Sequence, residues 1–475
     1  MKNVMLAALL LLLSLALSSV TCATADAQAA PSVQITSVPA FGVWGGYLGG
    51  TTQNANPALH RVAVYIYIPG VGWYTKPYFT TPCATIQSDG SWSALVTTGG
   101  VDDKATIFAA FLIPVEACSD ERILAGGLEC LPERVGEVAL DYDYRLRDNP
   151  DQRRVSFSGY KWLVKSHAEP FGPGPNYFSD GSDNVWVDPQ GRLHLKITFR
   201  SGKWYCAEVI CRQPLGFGTY RFDVETSIND LDPNIVLGMF TYSEACAFGR
   251  TACVDGHREI DVEFSKWGNA ADPLNSQFVV QPWDCAGHME RFALPAGSST
   301  SFFCWWQDLV QFESSVGTTV RRWVFSKAGE VPRPGQEQTR INLYLVGGNP
   351  PVGGQEKEIV ISRFQFLPPV TQGEVPLIKS QAEYTPVRLT GKDVSASFDG
   401  FFYLESDDRA CGIRVDKANH GLAVGMRADV TGNVQTNADG ERFISAATCA
   451  QTSSGGGQSL SPADRNTAIP DTVIQ

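Results

Sequence analysis

Beyond its first twenty residues the chain has no apolar run long enough to span a bilayer, so insertion into a membrane is not expected. Clusters of Lys and Arg are missing too. The 38 basic side chains stand against 50 acidic ones, and a formal net charge of −12 leaves little with which to neutralise phosphates, so nucleic acid is excluded as a partner. Sustained helical periodicity is absent, and no internal repeat is visible. Aromatic residues, by contrast, are plentiful at 11%, which for so few helix signals points to β-structure and suits a neutral, sugar-like ligand.

The chain opens with Met1-Lys2-Asn3-Val4, an apolar stretch from Met5 to about Val20, and the small-residue run Ala23-Thr24-Ala25-Asp26-Ala27. That order is the mark of a secretory signal peptide cleaved after Ala27, so the mature protein is expected outside the cytoplasm, extracellular or periplasmic. Cys22 would offer a lipid anchor, but Thr21 precedes it where a small residue is expected. Twelve cysteines in an exported chain predict disulfides, and losing Cys22 leaves an odd number. Short spacings suggest Cys118–Cys130, Cys206–Cys211, Cys246–Cys253 and Cys285–Cys304, with Cys411 and Cys449 bracketing the last module and Cys83 left over. A zinc site built from Cys246, Cys253, His257, Cys285 and His288 is the competing reading. Thiols in an oxidising compartment more often pair with one another, so no metal or cofactor is expected.

Period-two runs broken by turns, such as Arg61–Ile68 followed by Pro69-Gly70, predict an N-terminal β-sandwich over residues 32–114. Its Trp44, Trp73, Tyr74 and Trp92 could fill the core or form a sugar-stacking face, and the core is the better fit. Residues 115–154, with their charged stretch from Asp141 to Asn149, read as a linker. From 155 to 368 strand patterns recur over some two hundred residues, which predicts a β-jelly-roll, a large two-sheet sandwich of concanavalin type. A linker at 369–386, a small OB-like β-barrel at 387–450 and a disordered Ser/Gly-rich tail at 451–475 complete an all-β chain, expected to be a monomer.

The chemistry concentrates in Glu259-Ile260-Asp261-Val262-Glu263. In an extended strand residues i, i+2 and i+4 share a face, so the three acids point one way and Ile260, Val262 and Phe264 the other. Crowded carboxyls raise one another's pKa, which is how a protein keeps one as an acid beside another that stays ionised. Glycosidic cleavage asks for such a pair. The plain alternative is the solvent face of an ordinary strand. Against it stand Trp204, Tyr242, Trp267, Trp283, Trp305 and Trp306 in the same domain, because sugar rings present apolar faces that aromatics bind well.

Over residues 155–367 the chain resembles glycoside hydrolase family 16, the family of lichenases, laminarinases and xyloglucan endotransglycosylases. The resemblance runs through Cys206-Ala207-Glu208-Val209, Gly216-Phe217-Gly218-Thr219-Tyr220, Met239-Phe240-Thr241-Tyr242, the stretch from His257 to Phe264, Gln277-Phe278, Trp306-Gln307 and Ile341-Asn342-Leu343-Tyr344. It implies that Glu259 is the nucleophile and Glu263 the acid/base, with Asp261 tuning their protonation. It also implies that Glu208 and Arg212 contact sugar, and that Tyr242, Trp267 and Trp306 stack on or position it. Asn342 and Tyr344 are similar to the family's Asn-Leu-Trp element, with Tyr in the last place.

The expected activity is that of a secreted retaining endo-β-glycanase acting on β-glucan-type polysaccharide. The alternatives are a transglycosylase sharing the covalent intermediate and a non-catalytic carbohydrate-binding or wall-associated protein on the same scaffold. Both catalytic Glu residues are present, which disfavours the last. Glu259 and Glu263 lie about 13 Å apart by strand rise, whereas a retaining pair needs its carboxyls at about 5–5.5 Å. The two side chains must therefore lean together across a concave sheet.

Overall fold

The computed structural model describes residues 29–167, 169–246 and 252–452. The expected signal peptide at 1–27 lies outside them, as does the expected tail beyond Thr452. The described chain is all-β, and among the described residues no helix is long and apolar enough to cross a membrane.

The N-terminal sandwich pairs a three-stranded sheet, Ser32–Ser37, Tyr47–Gln53 and Ser91–Leu95, with a larger sheet centred on His60–Ile68 and Ile107–Pro114. Alternate side chains of both, among them Ile35, Leu48, Val64, Trp92 and Phe108, meet in one core. Trp73 and Trp92 are buried while Trp44 is exposed, so most of the module's Trp is packing. The sandwich extends further than the sequence suggested. Much of the expected linker belongs to it, because Asp141–Leu146 is an edge strand paired with Ile107–Pro114. Its acids alternate with aromatics: Tyr144 is buried, and the Asp141 and Asp143 carboxylates accept from the Val33 and Ile35 N–H groups, each at 2.8 Å. Those bonds satisfy the open edge of the facing sheet.

The central domain is a jelly roll of two antiparallel sheets, continuous where Leu193–Arg200 passes between Lys203–Cys211 and Lys357–Leu367. In one sheet the strand order is Met289–Phe292, Ser276–Val280, Ile260–Phe264, Ile235–Tyr242, Gln338–Leu345, Lys203–Cys211 and Tyr160–Val164. Alternation then divides these strands: Val262, Ile341, Val209 and Phe278 face the core, packed with Phe222, Phe303, Phe312 and Phe364. The opposite side chains face outward and form the floor of the site.

The C-terminal unit is a closed five-stranded barrel of Pro386–Phe398, Phe401–Glu405, Gly412–Asp416, Arg442–Gln451 and Arg427–Thr436. It docks on the second sheet, remote from the site's floor, through a cluster of Phe302, Cys304, Trp306, Leu309 and Ala447. Gln311 adds polar ties, accepting from Asn433 at 3.1 Å and donating to the Ser445 carbonyl at 3.2 Å.

The disulfides follow tertiary proximity instead of short spacing: Cys83–Cys118, Cys130–Cys246 and Cys253–Cys285. Cys83, expected to be left over, has a partner. None of the five expected pairs forms. Cys206 and Cys211 share one strand at an odd separation, which puts their thiols on opposite faces. Cys304 is buried in the barrel contact. Cys411 and Cys449 flank parallel strands in which Arg414 lies opposite Phe443, which sets them about nine residues apart along the ladder, beyond reach of a bridge. The Cys253–Cys285 bond also commits two of the thiols in the zinc alternative, and nearby His288 is held by the Val280 carbonyl and Glu330, at 2.8 and 2.7 Å.

Candidate active site

The outward face of the first sheet, together with the N-terminal sandwich, bounds a cavity of about 720 Å³, within the usual range for ligand pockets. Glu259, just ahead of the Ile260–Phe264 strand, joins Asp261 and Glu263 on its floor. The strand is bracketed by Arg258 and Trp267, both in the left-handed region with φ of 56° and 51°, a conformation that costs a non-glycine residue energy and recurs near functional sites.

Amides on the neighbouring strand and just past its end hold the acids in place. Gln277 Nε2 donates to Glu263 Oε2 at 2.7 Å, and Gln281 Nε2 donates to Asp261 Oδ2 at 3.1 Å. Asp261 is 2% exposed and shares a hydrogen bond with Glu259. Burial, reinforced by Asp255 and Glu263, pushes the Glu259 carboxyl up to about 8. Burial pushes Glu263 up to about 7, against the opposing pull of its Gln277 bond and of Arg291. Asp261, buried between two acids, is raised well above the usual carboxylate range by that burial and by its two neighbours.

On the Gln338–Leu345 strand, alternation turns Gln338, Arg340, Asn342 and Tyr344 to the same face. Asn342 is 2% exposed, yet its Oδ1 has no hydrogen-bond partner, and a cavity-lining acceptor of that kind is suited to a ligand hydroxyl. It leans over Gly238, which lies opposite both Asn342 and Glu263 in the sheet. A Cβ at Gly238 would come within 2.6 Å of Asn342 Oδ1, so glycine supplies the room. Tyr344 is close enough to the three acids that they, after burial, hold its phenol protonated.

Glu208 sits beside these residues with both oxygens engaged, 2.7 Å from Lys165 Nζ and 3.1 Å from Arg340 Nη1. The Arg340 guanidinium also lies over the Tyr242 ring at 4.8 Å, and Tyr242 stacks on His257 at 4.7 Å. Arg212 reaches the cavity while pairing with Asp148 and Glu244 at 3.1 and 3.3 Å.

The structure thus brings Glu208, Arg212, Tyr242, Asn342 and Tyr344 together with the three acids. It does not bring Trp267 or Trp306. Trp267 packs against the jelly-roll core, and Trp306 lies in the barrel contact under the Arg388 guanidinium, 5.1 Å from its ring centre. A large aromatic looks the same in sequence whether it fills a core or lines a cleft. Lys165, Arg340, Gln281 and Gly238 were not anticipated. Alternation with Asn342 could have flagged Arg340, whereas the place of Lys165 depends on strands far apart in sequence.

No protein-family model matches the chain, and no curated protein sequence matches it. Solved structures do: a Bacillus licheniformis β-glucanase, 18% identical, overlaps 46% of this chain and 99% of its own with a TM-score of 0.34. A β-1,3-glucanase from Mycobacterium marinum is 17% identical over 46% of this chain and 95% of its own, with a TM-score of 0.35. An immunostimulatory antigen and pseudo β-1,3-glucanase of Mycobacterium tuberculosis is 20% identical over 42% of this chain and 88% of its own, with a TM-score of 0.33.

Proposed function

We propose that this protein is a secreted retaining endo-β-glycanase that hydrolyses neutral β-glucan-type polysaccharide by double displacement. The observation behind this reading is the set of three carboxyls on one face of one strand, gathered in a cavity whose burial raises their proton affinity. The reactive form carries Glu259 ionised and Glu263 protonated, the minor of the two singly protonated forms given their proton affinities: Glu259 then attacks the anomeric carbon as Glu263 protonates the departing oxygen. Glu263 then deprotonates water, whose oxygen displaces Glu259 and leaves the product in its original β configuration. Exported protein is supported by the three disulfides. A neutral substrate is supported by the charges at the cavity: among the described residues that line it, Lys165 and Arg340 are held by Glu208, Arg212 by Asp148 and Glu244, and Lys104 by Asp103, so none of these Lys and Arg side chains waits unpaired for a sulfate or uronate.

The test is purified protein on lichenan, laminarin and xyloglucan, with product anomers followed by NMR, alongside Glu259→Ala and Glu263→Ala on an aryl β-glycoside. Glu259→Ala should be inactive on every substrate. Glu263→Ala should keep aryl-glycoside cleavage, because a good leaving group departs without protonation. Initial release of the α anomer, or an aryl glycoside cleaved by the Glu259 variant alone, would refute the mechanism or the roles.

A further inference from the structure

Around the C-terminal barrel the fifth strand, Arg442–Gln451, lies between the third and the fourth and runs parallel to the third, Gly412–Asp416. That is the arrangement of the OB-fold, which receives oligosaccharides or oligonucleotides on its second and third strands and on the loops after strands one and four. Alternation sends Phe402, Leu404, Ile413 and Val415 into the barrel core and leaves Phe401, Tyr403, Arg414 and Asp416 on the outside. Phe398, 51% exposed, stands across the tight Asp399-Gly400 turn from Phe401, and the two rings stack at 4.7 Å. The Arg414 guanidinium also lies over Phe401, 3.9 Å from its ring centre. These groups are held in place: Arg414 pairs with Asp416 at 2.5 Å and Glu441 at 3.6 Å, and the Tyr403 hydroxyl donates to Glu441 at 2.7 Å. Glu441 belongs to the loop between the fourth and fifth strands, so both loops that border an OB-fold's binding face meet here. Beside them the barrel and the second sheet of the jelly roll enclose a cleft of about 400 Å³, lined by Gly400, Asp416, Lys417 and Phe443 from the barrel and by Gln311 and Arg322 from the sheet.

We infer that this face is a second carbohydrate-binding site, with Phe398 stacking on a sugar ring of the polysaccharide and the cleft taking the hydroxyls of the adjoining unit; this rests on the glycan reading above. The chemistry of the face selects that occupant. A pyranose presents an apolar C–H face to an aromatic ring and hydroxyls that donate and accept to the polar walls of the cleft. Single-stranded nucleic acid also stacks on aromatics, but it needs cations free for its phosphates. Here Arg414 is matched by Asp416 and Glu441, Arg322 by Glu313 at 2.6 Å, and Lys417 is tied to the Ala447 carbonyl at 2.6 Å. Because the barrel docks on the second sheet, the site holds the polymer without touching the bond that is cut.

The experiment uses the full chain with Phe398→Ala and Phe398→Leu, the second keeping apolar cover over Phe401 without an aromatic face. Phe199→Ala is the control, since Phe199 is equally exposed, at 51%, but lies on the jelly roll. Retention is read by depletion onto insoluble neutral β-glucan, hydrolysis by reducing ends from short soluble β-gluco-oligosaccharides, and fold by thermal midpoint. Both Phe398 variants should bind the insoluble polymer about fivefold more weakly, the worth of one aromatic contact. Their hydrolysis of short chains and their midpoints should match the parent, and Phe199→Ala should match it throughout. Retention unchanged in Phe398→Leu, hydrolysis of short chains lost in step with retention, or a single-stranded oligonucleotide bound through Phe398 would overturn the inference while leaving the hydrolase reading intact. A parent retained through Phe398 but unable to hydrolyse would sustain the inference and overturn the hydrolase reading, and a parent neither retained nor active would overturn both.

Discussion

Asp261 offers the sharpest test of how the site sets its proton affinities, through the contrast between Asp261→Asn and Asp261→Leu. From the sequence alone, a third acid between two others implies that Asp261 tunes their protonation and that Asp261→Asn would lower turnover and shift the pH optimum. Burial changes that expectation. Asp261 is raised well above the usual range by burial and by Glu259 and Glu263, so it keeps its proton to higher pH than an ordinary Asp. Its hydroxyl then donates to Glu259 while Oδ2 accepts from Gln281 Nε2 at 3.1 Å. An asparagine reproduces both bonds, with its N–H toward Glu259 and its carbonyl toward Gln281. A leucine reproduces neither. A hydrogen bond to an ionised acceptor is worth about 1.5–3 kcal/mol, and at about 1.4 kcal/mol per unit its loss raises the Glu259 pKa by about 1–2 units. Glu259 must be ionised to attack, so activity is lost as pH falls through its pKa, and that acidic limb moves upward when the donor is removed. The assay is the pH dependence of kcat/KM on a soluble β-glucan, with near-UV circular dichroism to verify the fold. Asp261→Asn should keep the parent's limb and Asp261→Leu should displace it. An Asn variant displaced as far as the Leu variant would show that Asp261 acts as a charge, and an undisplaced Leu variant would remove the hydrogen bond from the account.

Three further outcomes are expected. Glu208→Gln leaves the buried Lys165 and Arg340 without their shared anion; breaking such a network costs about 3–5 kcal/mol, measurable by urea unfolding, and a loss below about 1 kcal/mol would contradict it. Trp306→Ala opens the barrel contact and should cost about 3–5 kcal/mol in stability with kcat/KM unchanged; a selective loss of kcat/KM would return Trp306 to the cleft. Cys130→Ser frees a link across a sequence separation of 116 residues and should lower stability by about 2–4 kcal/mol in calorimetry, whereas an unshifted unfolding transition would mean the two modules hold together without it.

Features written in consecutive residues were legible in the sequence. Strand alternation is a property of the backbone itself, so Glu259, Asp261 and Glu263 could be set on one face and Val262 in the core before any fold was known. The same alternation marked the sandwich, the jelly roll and the barrel. Charge hid it once, in Asp141–Leu146, where acids facing a neighbouring sheet edge gave a strand the look of a linker.

The rest depended on which strands meet. Spacing said nothing of Cys130 and Cys246, because a disulfide needs its Cα atoms close in space, and here they are 4.5 Å apart across a module boundary. Whether Trp306 faced sugar or the barrel was settled by what covers the second sheet, not by the residues beside it. The Lys165–Glu208–Arg340 network joins three strands that are neighbours only in the folded sheet, and the sandwich became a wall of the cavity only when the chain beyond Tyr242 entered its core. Burial, which raises the proton affinity of all three carboxyls, belongs to the assembled cavity, since desolvation depends on everything packed around a group and on nothing in its own five-residue stretch.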